Sequence, residues 1–516
     1  MKPSALFIPV VTAAVLLAGS LVSSADSLTI KTEDGKVHGK LINSGAVRAF
    51  QGLPYAAPPV GDLRWKAPQP AAAWKGEFDA TKYGHHCAQG AVFADMIFQD
   101  GEGSEDCLNL NVYTPANASP KSKLPVMFWI HGGGYAGGGS SEPRHNGDFL
   151  PTKGVILVTI NYRLGVFGFL ATPELAAEQG GTAGNYGLMD MVAALEWVKK
   201  NIASFGGDPG NVTIFGESAG SFAVSTLMAA PSARGLFAKA IGESGGALNQ
   251  GTMALETLAA RGPKDAKLLD ALEVKTLAEL RAVPTAKILE TVAKQKGLNF
   301  PPNIDGKFLT ESVLDTYLAG HQAHVPLIAG FNHDEGSWMA MGMDAAKWAE
   351  AAKKRYPDNT EEFLKLYPGS TDAEARASAT DFGGDMFIAF GTWKWMEIHR
   401  KTGESPVYRY KLDLASPPSK FHPGSFAFHS DDIEYIFGTI DTRPGAVWRD
   451  EDRKLSDQMM SYWTNFAKTG DPNGPGLPTW PKYGEGDPVL HLDNPITSRP
   501  DENRARYDFW MKQEAK

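Results

Sequence analysis

The apolar residues of this chain fall into two alternating kinds of run. Short unbroken runs rich in β-branched side chains read as strands buried on both faces. Val126–Ile130 (VMFWI), Val155–Ile160 (VILVTI) and Val212–Phe215 (VTIF) are of this kind, and further strands are expected at Val325–Ala329 and Val407–Leu412. Elsewhere apolar residues recur at helical spacing. Val192, Leu195, Val198 and Ile202 do so within Met189 to Ile202, and Leu455 to Lys468 predicts a closing helix stopped by Gly470 and Pro472. The stretch from about Pro263 to Gln295 also reads as helical and, lying between strands, as a lid or pocket wall. Strands alternating with helices predict an α/β fold: a large, mostly parallel central sheet covered by helices on both faces. No internal repeat, low-complexity linker or long charge run divides the chain, so one large unit over 26–516 is expected.

The first segment has a different pattern. Lys2 precedes a mostly apolar run, Ala5 to Leu21, broken by Pro9 and Thr12, and Ser23-Ser24-Ala25 offers small residues for cleavage. That is the make-up of a secretory signal peptide over residues 1–25, with the mature chain beginning near Asp26. The protein is therefore expected to be secreted or periplasmic. A membrane anchor is the competing reading, but the run is short for a span and no second hydrophobic segment follows.

Composition narrows the function classes. With 43% hydrophobic and 21% charged residues, the chain can bury the core of an ordinary globular enzyme. A net charge of −9 without any basic stripe disfavours a nucleic-acid partner, so none is expected, and weakly disfavours a strongly anionic substrate. Only Cys87 and Cys107 could form a disulfide, which an exported protein with an even cysteine count is expected to do; two buried thiols are the alternative. His85 and His86 beside Cys87 are too few for a metal site, so none is expected.

The sharpest local signal is Gly216-Glu217-Ser218-Ala219-Gly220, placed after the strand-like VTIF and before a helical pattern. A serine at a tight strand-to-helix turn is forced outward, and the flanking glycines remove side chains that would clash there. A second signal, His131-Gly132-Gly133-Gly134-Tyr135, follows VMFWI directly. A glycine-rich loop at the end of a strand exposes N–H groups, so Gly133, Gly134 and Ala219 are the candidate oxyanion donors. A phosphate loop would need a Lys-Ser/Thr pair, which is absent. A nucleophilic serine needs a base oriented by a carboxylate, in the chain order Ser, acid, His. Asp334 and Glu335 follow a strand-like run, and His399, His422, His429 and His491 come later; spacing does not choose among them.

A series of motifs makes the choice through resemblance. Phe50 to Ala56 (FQGLPYA), Ser104 to Val112 (SEDCLNLNV), the HGGG loop, Asn161-Tyr162-Arg163, Gly184 to Asp190 (GNYGLMD), Phe205 to Gly220 (FGGDPGNVTIFGESAG) and Trp463 to Ala467 (WTNFA) occur in order over nearly the whole mature chain. In this series the sequence resembles the type-B carboxylesterase/lipase family, which includes the cholinesterases and bacterial carboxylesterases. The resemblance implies an α/β-hydrolase fold and a Ser218, Glu335, His429 triad. It further implies a Cys87–Cys107 disulfide, ion pairs Arg64–Glu105 and Arg163–Asp190, and a polar role for Glu217 at the pocket floor. The Cys87–Cys107 loop is shorter than in cholinesterases and has no Trp, the residue they use there to hold a quaternary ammonium, which argues against choline esters. The expected function is a secreted serine carboxylesterase acting on small-molecule esters through an acyl-enzyme, with no metal or organic cofactor. A lipase working at interfaces and a non-catalytic cholinesterase-like binding module are the alternatives; oligomeric state and substrate preference leave no mark in the sequence. With His429 as the base, activity should fall on acidification roughly between pH 5.5 and 7.5, because a neighbouring carboxylate and burial push its pKa in opposite directions.

Overall fold

A computed structural model describes residues 28–249 and 254–515; the expected signal peptide lies outside the described residues. Its centre is an eleven-stranded sheet. In chain order the strands are β1 (Lys40–Ile42), β2 (Val47–Pro54), β3 (Asn109–Pro115), β4 (Leu124–Ile130), β5 (Ile156–Ile160) and β6 (Gly207–Glu217). They continue with β7 (Lys239–Glu243), β8 (Leu327–Asn332), β9 (Val407–Leu412), β10 (Pro488–Leu492) and β11 (Thr497–Pro500). Across the sheet the order is β11-β10-β9-β8-β7-β6-β4-β5-β3-β2-β1. From β5 to β10 every neighbouring pair is parallel, and the remaining pairs are antiparallel. A separate small sheet joins Thr29–Lys31, Lys36–His38 and Glu77–Asp79.

The unbroken apolar runs are explained by the two cores. Successive side chains of a strand point to opposite faces, so Val126, Phe128 and Ile130 enter one core while Met127 and Trp129 enter the other. The first core is completed by the helices Tyr186–Asn201 and Ala219–Ala229, through residues such as Leu188, Leu195, Val224 and Leu227. The second is closed by Asp450–Thr469, which presents Leu455, Met459, Trp463 and Phe466 at helical spacing. Each such side chain, fully buried, contributes about 1.5–3 kcal/mol. The two closing-helix and β9 expectations match within a few residues.

Two expectations change. β6 begins at Gly207, well before the apolar Val212–Phe215, because the polar lead-in pairs through Gly207 with Leu124 across a register shift. The segment from Pro263 to Gln295 is helical, in four short pieces from Leu258 to Lys294. It is not a wall of the catalytic cavity, since no residue lining that cavity comes from it. Its work is elsewhere: the carbonyls of Arg281 and Val283 accept from Arg64, and Thr285 donates to Glu105. The Arg64–Glu105 and Arg163–Asp190 pairs are both present and doubly hydrogen-bonded at 2.5–2.8 Å. Buried pairs of this kind hold the chain in register more than they add net stability.

Candidate active site

Three strands of the parallel sheet deliver the chemistry at their carboxyl ends. β6 turns into the helix Ala219–Ala229 at Ser218, whose φ of 54° and ψ of −121° are strained for a residue with a side chain. The turn has no room to relax. A Cβ on Gly216 would stand 2.5 Å from the Ile130 carbonyl oxygen, and one on Gly220 only 2.0 Å from the same atom. The Ser218 N–H donates to the Glu243 carbonyl at 2.8 Å, which ties the elbow to β7.

From this elbow a hydrogen-bonded line runs through the site. Ser218 Oγ lies 2.8 Å from His429 Nε2, and His429 Nδ1 lies 2.6 Å from Glu335 Oε2. The other oxygen of Glu335 accepts from Ser244 Oγ at 2.5 Å and from the Asn332 N–H at 2.9 Å, so both rotamer and charge are held. Glu335 follows β8 directly. His429 sits on the loop before the helix Asp432–Phe437, and that loop is pinned at two points. Asn332 Nδ2 donates to the Phe428 carbonyl, while Asp334 exchanges backbone and side-chain bonds with Ala427.

The residues left open by spacing alone are now separated. Asp334 braces the histidine loop. His422 stacks on Phe428 at 3.7 Å, His399 Nε2 donates to the Val325 carbonyl inside the fold, and His491 pairs with Asp413. Beside Ser218 the loop after β4 turns with positive φ at Gly133 (100°) and Gly134 (62°), where a Cβ on Gly133 would be 2.2 Å from the Gly137 carbonyl oxygen. Among the described residues none accepts a backbone hydrogen bond from the N–H of Gly133 or Gly134. Ala219, as the first residue of its helix, has no intrahelical acceptor for its own N–H. Preorganised donors of this kind stabilise a developing oxyanion. His131, at the base of the loop, is stacked on Tyr162 at 4.4 Å and kept neutral by burial, which pushes its pKa down to about 4.

Glu217 sets the electrostatics. Its Oε1 lies 3.4 Å from His429 Nε2. Burial opposes charge on the His429 ring, but Glu217 and Glu335 outweigh it and push the pKa up to about 9. Burial also pushes the Glu217 carboxyl up to about 8, so it supports the imidazolium only while ionised and Glu335 carries the upward shift below that. The two carboxylates thus move the ring's protonation above the ordinary histidine value of ~6.5, toward the upper part of the expected window or beyond it.

The cavity over these residues measures about 450 Å³. Phe93, Met96, Trp338 and Phe387 give it an apolar wall, and Asp95, Arg144 and His422 a polar one. Apart from His422, one of the candidate bases, sequence reasoning named none of these. Position was the available signal: Phe93, Asp95 and Met96 lie between Cys87 and Cys107, which are joined, and Arg144 lies just beyond the glycine loop. Phe387, edge-on to His429 at 5.1 Å, comes from a π-helical turn, Asp385–Ala389, that no periodicity announces. Among the described residues no group of side chains could hold a metal ion.

Comparison with known proteins places this architecture among relatives. Residues 26–510 match the carboxylesterase family. Carboxylesterase 5A of Canis lupus familiaris is 35% identical over 96% of this chain and 91% of its own length. The para-nitrobenzyl esterase of Bacillus subtilis (strain 168) is 35% identical over 92% of this chain and 96% of its own. A solved structure of a PNB esterase superposes with a TM-score of 0.80 at 34% identity, covering 93% of this chain and 99% of that one.

Proposed function

This chain belongs to the carboxylesterase family, and we propose that it is an exported esterase whose serine nucleophile is Ser218, with His429 as base and Glu335 as its orienting acid. It has the α/β-hydrolase fold and is a serine carboxylic ester hydrolase, in keeping with relatives named as carboxylesterases and esterases. The observation that carries the triad is the continuous line Ser218 Oγ–His429 Nε2, His429 Nδ1–Glu335, lying beside free glycine N–H groups at the cavity floor.

Neutral His429 takes the hydroxyl proton as Ser218 Oγ bonds to the ester carbonyl carbon. The negative charge collects on the carbonyl oxygen, where the N–H groups of Gly133, Gly134 and Ala219 meet it, each such donor being worth about 3 kcal/mol. Glu335 stabilises the imidazolium. The C–O bond to the alcohol breaks, His429 returns its proton to the departing oxygen, and an acyl-Ser218 ester remains. Water then attacks that ester by the same steps, releasing the acid and restoring Ser218.

Export draws on the pattern of residues 1–25, and the joined Cys87 and Cys107 fit an oxidising compartment. No helix among the described residues is long and apolar enough to cross a membrane. A second reading, a lipase working at interfaces, draws on Phe93 and Trp338, which are half exposed where they line the cavity. Activation by emulsified long-chain triglyceride over dissolved ester would favour it.

A fluorophosphonate should label Ser218 of the wild-type protein and leave Ser218→Ala unlabelled, with turnover of a soluble aryl ester lost by about 10⁴-fold or more. Labelling of the variant at the wild-type rate would place the nucleophile elsewhere.

A further inference from the structure

The polar wall of the catalytic cavity contains a cation in an unusual setting. Arg144 stands on the short turn Pro143–His145, and its side chain is only 14% exposed. Burial works against its charge, but Glu142 and Asp95 outweigh that and hold the guanidinium above its ordinary range. The two partners hold it unequally. Glu142, itself buried, takes Nε and Nη2 at 2.9 Å each. Asp95 reaches Nη1 at 3.4 Å, beyond ordinary hydrogen-bond distance, from a side chain that is 28% exposed. Asp95 lies on the loop between the joined cysteines, and both it and Arg144 line the cavity that holds Ser218.

A neighbouring arginine shows what a purely structural guanidinium looks like here. Arg443 faces the adjoining recess but is consumed by Asp431 at 2.6 Å, Glu434 at 2.7 Å and Ser416 at 3.1 Å. Arg144 has a single loose partner at Nη1, Asp95, and both residues line the catalytic cavity as well as the adjoining recess. From this difference we propose that Arg144 is a specificity-determining residue that selects esters carrying a carboxylate, which displaces Asp95 and binds Nη1. The proposal rests on the esterase reading above and names the substrate class for that site. Exchanging one carboxylate for another keeps the guanidinium paired, and Asp95, already 28% exposed, would carry its own charge to solvent, so no uncompensated charge is buried. Arg is suited to this because its planar fork remains charged at any pH of interest and matches carboxylate geometry. The net charge of −9 is no obstacle, since it is a sum over the whole chain while Arg144 acts inside the cavity.

The test uses matched esters and two variants that should move oppositely. On the alcohol side, 4-acetoxybenzoate is compared with its methyl ester; on the acyl side, mono-4-nitrophenyl glutarate is compared with 4-nitrophenyl hexanoate. In each pair the readout is the ratio of kcat/KM for the charged over the neutral ester, with competent enzyme counted by phosphonate labelling of Ser218. Arg144→Gln should lower the ratio at least ~10-fold on one of the two arms, the order expected for losing a charge-assisted contact. Asp95→Asn removes the competing carboxylate and should raise the same ratio several-fold. If both variants depress charged and neutral esters alike, the pair is structural and the proposal is overturned; an unmoved ratio on both arms overturns it equally. Should Arg144→Gln fail to fold, the rise or fall of the ratio in Asp95→Asn decides. A wild-type protein that cleaves no ester and is not labelled at Ser218 would instead overturn the esterase reading.

Discussion

The floor and the walls of this cavity are built by different means. At the floor, position is enforced by backbone meeting backbone: β4 and the Ser218 elbow approach so closely that Gly216 and Gly220 admit no Cβ, and Gly133 is fitted against Gly137 in the same way. At the walls, side chains from distant segments converge, among them Phe93, Arg144, Trp338 and Phe387. Attack on a carbonyl depends on distances held to a fraction of an ångström, and few residue types can supply them. A wall needs volume and polarity, which many residue types can supply. On the proposed mechanism the floor would carry the reaction and the walls the choice of ester.

If that division is right, substitutions at the floor should cost the most. Gly220→Ala drives a methyl group into the Ile130 carbonyl and must open the elbow. Turnover should fall by about 10²-fold or more, the cost of displacing reacting groups by about 1 Å, and phosphonate labelling of Ser218 should slow in parallel. Wild-type labelling in this variant would show that the elbow tolerates a movement the floor is argued not to allow.

An intermediate effect should come from Glu217, which belongs to the floor but acts through charge. A nearby carboxylate favours the imidazolium and raises the histidine pKa, so neutralising it lowers that pKa. Wild-type kcat/KM on a neutral ester should rise with pH through one ionisation centred above ~6.5, in the direction of the value of about 9 that its carboxylate neighbours impose on His429. In Glu217→Gln the midpoint should move down, toward what Glu335 alone imposes. A midpoint that stays in place would mean that Glu217 holds its proton across the whole range.

The smallest effect should come from the wall. Trp338→Ala removes a half-exposed indole from the cavity and should lower kcat/KM for bulky or long-chain esters by roughly 10-fold, with acetyl esters changed less. The profile across a chain-length series checks this. A loss equal for every ester would assign Trp338 to the floor and blur the comparison.

Taken along the chain alone, the residues determined the strand-and-helix alternation, the outward-forced Ser218 and the glycine loop, because each depends on neighbours within a few positions. Val155–Ile160 is apolar and β-branched enough to read as a strand from its own residues, and G-x-S-x-G after a strand permits few turns. Choosing His429 over His422 needed family resemblance, and the structure places the alternatives by contacts that no spacing encodes: His422 against Phe428, His399 on the Val325 carbonyl, and His491 beside Asp413.

What only the tertiary structure decided is what depends on residues far apart in sequence arriving at one place. Glu335 meets His429 across 94 positions, and Arg144 meets Asp95 across 49. The segment from Leu258 to Lys294 has a readable helical pattern, yet its use as a brace on Arg64 and Glu105 follows from where the sheet sets it down. Local sequence restricts backbone angles and the direction in which a residue faces; which remote side chain it then faces, and so the size, charge and selectivity of the cavity, is settled by the packing of the whole sheet and its helices.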